Sequence, residues 1–325
     1  MKQFLISVLI LCAISHGKIN VVATIFPLYD FARATAKEQA NIAMLALPGA
    51  STHSFQPSPA DIKKLQNADV FLYIGGNSDS WVERILSTLD TSNMKIIRLF
   101  PHVKLYEEEI KKGMQHDHHN DHHNHNHKHK HKHKHKHSRK KGEIKVEYDE
   151  HIWTSPKNAA LMLEAIAKAF CEKDSSNCEN YEKNSKAYIS QINELANELS
   201  QITKSAKRKK IVVADRFPFR YLTEEYGLDY AAAFAGCSDQ ADASVATMAF
   251  LIKAVKKEKI PYIYHVELSN QNIARAIAEQ TGAKMLLLHS YHNLPKQEFE
   301  SGATYLSLLK QNVENLRIGL LDDKK

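Results

Sequence analysis

The strongest constraint on this chain is an alternation that occurs twice along its length: short apolar runs, several of them rich in β-branched residues, separated by stretches with helical spacing. In the first half the runs cover 19–25, 43–47, 70–74 and 96–99, with helical patterns at 59–66 and 80–89 and a helix from Leu28, after the proline at Pro27. A short apolar run bounded by turn residues is the signature of a strand covered on both faces, and strands alternating with helices imply a parallel sheet. A second series at 211–213, 231–234, 261–266 and 285–288 alternates with helices at 245–256 and 270–280. Between the two series, Met162, Ile166 and Ala169, then Tyr188, Ile192, Leu195 and Leu199, recur at helical spacing and predict two long helices broken near Asp174.

The expected fold is α/β: two lobes, each with a parallel sheet flanked by helices, joined by a rigid long helix. A chain of 325 residues, 43% hydrophobic, is long enough to bury two cores. The expected division is an N-terminal lobe over 18–155, connecting helices over 156–205 and a C-terminal lobe over 206–325.

The first seventeen residues, with Lys2 ahead of an apolar run of about a dozen residues, read as an export signal too short to span a membrane. Cys12 leaves a lipoprotein anchor as the alternative, although Leu11 before it is bulkier than lipoprotein processing favours. In an oxidising compartment Cys171 and Cys178 can close a small loop or remain two thiols at a helix junction, which leaves Cys237 unpaired.

The net charge of +7 is local. Residues 111–141 carry ten Lys or Arg against Asp117 and Asp121, an excess of eight, so the rest of the chain sums to −1. No basic groove for nucleic acid is implied.

Residues 115–141 hold almost no apolar side chain and are expected to form an unstructured loop. They contain twelve histidines: His116, His118, His119, His122, His123, His125, His127, His129, His131, His133, His135 and His137. Neutral imidazole ligates zinc, copper and nickel, so the tract is a weak, unselective accessory metal binder, or a solvated loop with incidental affinity. Elsewhere, His53 follows a strand end and a glycine-containing turn, and His151 follows Asp149 and Glu150 just ahead of a helix. Ligands of open α/β sheets gather at such strand ends.

The stretches 24–27, 48–57 with His53, 149–156 with His151 and 279–284, together with the histidine-rich insert between the first two histidines, resemble the zinc and manganese solute-binding proteins of ABC importers. The resemblance is ordered along almost the whole chain after the signal. It implies metal held in a cleft between two lobes, and His53 and His151 match the family's first two ligand positions. At the third, where the family has His or Glu ahead of an aromatic-rich turn, this chain has Ala214 or Arg216; Asp215 is the substitute candidate, with pairing to Arg216 or capping of the turn as the alternative. At the fourth, an acidic position after the last strand, His289 stands closest, and Glu267 competes. His289 could instead orient another ligand.

Three nitrogen donors with one carboxylate suit tetrahedral zinc, whereas manganese takes more oxygen. The resemblance thus implies capture of extracytoplasmic zinc, or a related divalent metal, by a monomer that delivers it to the membrane permease of an ABC importer. A metal reservoir or surface adhesin built on the tract is the rival reading. A zinc hydrolase is the weaker one, because the chain lacks a His-Glu-x-x-His helix, a Gly-x-Ser-x-Gly elbow and a phosphate-binding glycine loop.

Overall fold

The computed structural model describes residues 17–50, 55–115, 147–236, 238 and 242–322. The first lobe runs β1 (Ile19–Ala23), α1 (Phe26–Ala36), β2 (Ala40–Met44), α2 (Pro59–Gln66), β3 (Val70–Tyr73), α3 (Val82–Leu86) and β4 (Lys95–Arg98). Two long helices follow, α4 (Pro156–Lys173) and α5 (Cys178–Ser205). The second lobe comprises β5 (Lys210–Arg216), α6 (Arg220–Tyr226), β6 (Asp229–Phe234), α7 (Val245–Glu258), β7 (Tyr262–His265), α8 (Asn272–Thr281) and β8 (Lys284–Leu287). The short α9 (Lys296–Glu300) and the long α10 (Tyr305–Leu321) close the described chain.

Both sheets are parallel and share one topology, β2-β1-β3-β4 and β6-β5-β7-β8. Successive strand residues face opposite sides, so each central strand feeds two apolar layers. In β1, Val21 and Ala23 face one cluster and Val22 another; in β5, Ile211 and Val213 divide from Val212 and Ala214 in the same way. The outer layers are local: Val22 packs with Leu65 and Trp81, and Val212 with Leu251 and Ile277. The inner layer is common to both lobes, one cluster running from β1 and α1 through α4 and α5 to β5 and α10.

The break expected near Asp174 is present. Helix α4 stops at Lys173 with Asp174 as its C-cap, and Asp174 then accepts hydrogen bonds from Ser176, Asn177 and Tyr181. Cys171 and Cys178 form a disulfide across this corner, which resolves the open thiol question. Cys12 and Cys237 lie outside the described residues. Among the described residues, no helix is long and apolar enough to cross a membrane.

Hydrogen bonds tie the lobes to the connector. Buried Asp30 of α1 accepts from the Tyr188 hydroxyl of α5 at 2.6 Å and from the Tyr305 N–H at the start of α10 at 2.9 Å. Gln115, expected inside the unstructured stretch, is instead bonded on the second lobe: its N–H donates to Ala233 O at 2.9 Å and its side-chain oxygen accepts from Ser244 N–H. The twelve tract histidines lie outside the described residues.

Candidate metal centre

His151 is positioned by a short sequence with its own logic. Residues Ile152–Thr154 form a single tight turn, and Ser155 then caps α4 by accepting from Asn158 N–H at 3.0 Å, with Pro156 in the first turn. Asp149, two residues upstream, accepts from both the backbone N–H of His151 (2.8 Å) and its Nδ1–H (3.1 Å). A carboxylate on Nδ1–H fixes the tautomer, so Nε2 carries the lone pair, the form of imidazole that ligates metal. His151 is fully buried. Burial opposes its protonation, yet the charge and hydrogen bond of Asp149, together with the charges of Glu150 and Glu108, outweigh that effect and raise its pKa. Gly236 packs against the pair: a Cβ there would stand 3.2 Å from both Asp149 Oδ2 and His151 Cε1.

His151 lines a cleft of about 230 Å³ together with Gly49 and Ala50 from the first lobe and Arg216, Glu267 and His292 from the second. The His292 ring stands edge-on to His151 with centroids 5.4 Å apart, and Trp153 packs against both imidazoles. Trp153 also bridges the lobes, its Nε1–H donating to Ser290 O at 2.7 Å while its carbonyl accepts from the Tyr305 hydroxyl. Glu267 faces the same cleft with both oxygens engaged by Ser290, one by the N–H at 2.7 Å and one by the hydroxyl.

The sequence-derived candidates are distributed unevenly around this cleft. His151 and Glu267 line it; His53 lies outside the described residues, although Ala50 before it lines the cleft and Phe55 after it lines an adjoining pocket that also touches His292. Asn293 Nδ2 holds the same loop by donating to Leu47 O and Ala50 O, both at 2.8 Å.

Asp215 is not brought to the cleft wall. The pairing of β5 with β6 slips between Val213 and Arg216, a bulge that re-aims the strand end, and Arg216 faces the cleft while Asp215 Oδ1 accepts from the Arg216 N–H at 2.8 Å. His289 does not line the cleft either, although its Nδ1 stands 3.6 Å from Glu267 Oε2 behind the wall. Its Nδ1 accepts from Tyr291 N–H at 2.8 Å, its backbone is clasped by Asn312 of α10, and its Nε2 lies 3.7 Å from Glu298. Tyr291, with φ of 63°, reverses the loop between the two histidines, so the cleft receives His292 and not His289. The sequence shows a His-Ser-Tyr-His stretch but gives no sign of that left-handed residue, and His292 was missed for that reason.

Among the described residues the only grouping of three potential ligand atoms within 4.8 Å is Cys171, Cys178 and Glu182, whose sulfurs are already bonded to each other. A metal in the cleft therefore needs donors beyond those that the described residues bring within that distance.

The fold and the cleft define a two-lobed solute-binding protein. A family model described as ZnuA, the periplasmic component A of a zinc-uptake complex, matches residues 21–319, and the chain belongs to that family. It is 30% identical over 303 residues to the zinc-binding lipoprotein AdcA of Streptococcus pneumoniae, covering 93% of this chain and 56% of that protein. The chain thus spans little more than half the length of its streptococcal relatives. With the high-affinity zinc uptake system protein ZnuA of Bacillus subtilis it shares 30% identity over 304 residues, 94% of this chain and 88% of that one. The Zn(II)-bound ZnuA-like domain of Streptococcus pneumoniae AdcA superposes with a TM-score of 0.74 at 28% identity, covering 94% of this chain and all of that domain. The metal-dependent lipoprotein YcdH of Bacillus subtilis gives 0.74 at 26% identity, over 94% of this chain and all of that one.

Proposed function

We propose that this chain is the exported capture component of a zinc importer, taking up one zinc ion in the cleft between its lobes and delivering it to the membrane permease of an ABC transporter. The observation that carries the reading is the pair His151 and His292, edge-on at 5.4 Å on the cleft wall, with Asp149 fixing the tautomer of His151. His53, His151 and His292 supply nitrogen, and Glu267 on the same wall supplies oxygen, a donor set that zinc accepts and manganese favours less. Ala50 and Phe55, the nearest described residues on either side of His53, line the cleft and the pocket beside it.

In this reading the N-terminal lobe over 18–155 and the C-terminal lobe over 206–325 supply the two walls, and the helices over 156–205 hold their spacing. The protein acts as a monomer, and it binds and releases its ion without catalysing a reaction. Membership of the family and the zinc-related descriptions of its relatives support the choice of metal.

The test is elemental analysis with native mass spectrometry on protein lacking residues 116–141, which keeps the bonded Gln115. One zinc per chain is expected. A chain that retains no tight ion would make the tract the main store and end the capture reading.

A further inference from the structure

The cleft contains a charge that a simple cation site would avoid. Arg216 lines it beside His151, Glu267 and His292. Among the described residues the ion-pair partner of its guanidinium is Asp215, at 3.9 Å from Nε and beyond hydrogen-bond reach; Nε itself is buried without a hydrogen bond. Glu267, the other acid on the wall, has both carboxylate oxygens held by Ser290. A guanidinium stays protonated at any physiological pH and cannot ligate metal, so at this strand end it repels a divalent ion where a donor would attract one.

The volume supports the same conclusion. A cleft of about 230 Å³ far exceeds the roughly 10–15 Å³ that a water-sized particle needs. Space, an under-used cation and a nearby imidazole pair are the features of a site for a metal together with a small anion.

We propose that the cargo is a zinc–carboxylate complex: a small carboxylate anion enters with the ion, one oxygen bound to zinc and the other received by the Arg216 guanidinium. The guanidinium donates charge-assisted hydrogen bonds to the oxygen that zinc leaves free, and zinc accepts the added oxygen donor by expanding its shell. Arg216 thereby changes from a repulsive neighbour to the group that selects the complex over the bare ion. The inference rests on zinc capture in the cleft.

The test uses the full chain stripped of metal, dialysed against zinc and radiolabelled citrate, with both counted per chain. Cleft zinc is the excess over His151→Ala. The wild type should retain one citrate more than Arg216→Gln, only when zinc is present, and the substitution should weaken that retention about tenfold or more. Arg216→His, which replaces the cation with a donor, should hold cleft zinc with no citrate. Equal citrate in wild type and Arg216→Gln, with cleft zinc retained, overturns the carboxylate inference alone. No zinc difference between wild type and His151→Ala overturns the capture reading as well.

Discussion

His292 meets His151 almost at right angles, at 88° between ring planes, with His151 leading into α4 and His292 following β8 of the second sheet. Either substitution, His151→Ala or His292→Ala, should weaken zinc about 100-fold or more in protein lacking residues 116–141, because each removes one of about four donors. His289→Ala should change affinity far less. Competition against a calibrated chelator measures all three, and a loss confined to His289→Ala would return the fourth position to that residue.

Asp149 should set both the strength and the pH range of binding. Its carboxylate raises the pKa of His151, so protons compete with zinc from a pH above the ordinary histidine value of 6.5, and affinity should fall as pH drops through that raised value. Asp149→Asn removes the charge, lowers that pKa and moves the fall to lower pH, while weakening the neutral-pH affinity about 10–100-fold through loss of ring orientation. An unchanged pH profile in the variant would separate Asp149 from the site.

Asp79 is a second, partly buried acid with a different role. Burial is the largest influence on it, hydrogen bonds from the Gly75 and Ile74 N–H groups oppose that effect, and neighbouring Glu150 adds to it, so its pKa rises to about 6. A raised acid contributes stability that is complete below its unfolded value of 3.8 and is lost as pH rises through about 6. Asp79→Asn should therefore stabilise the fold at pH 8, by at most about 3 kcal/mol, and leave it little changed near pH 4. Thermal unfolding at the two pH values checks the sign.

The disulfide between Cys171 and Cys178 closes a loop of only a few residues at the corner between α4 and α5. Replacing both cysteines with alanine should lower stability by about 2 kcal/mol in denaturant titration, with zinc affinity unchanged. A matching drop in affinity would mean that the corner helps set the cleft.

The sheet architecture was legible because parallel strands buried on both faces leave uninterrupted apolar runs, such as those ending at Ile74 and Phe234. His151 was legible because its neighbours, Asp149 to Pro156, carry both its orienting acid and the helix start behind it. His292 is not legible as a residue facing the cleft, and at the third position the sequence leaves Ala214 and Arg216 open. A slip in the β5 register and a left-handed Tyr291 decide which residue faces the cleft there, and both are settled by packing against other elements. Asn312, which clasps His289, comes from a helix 23 residues further on.

The apolar layer that runs from β1 through α4 and α5 to α10 gives the lobes one shared core. Heat should melt the described body in a single transition, with no plateau at which one sheet survives the other. An ion bound between the lobes then stabilises every strand equally, by an amount that grows with the logarithm of its concentration. The melting temperature of the edge strand β4 should report occupancy of a cleft that it does not line.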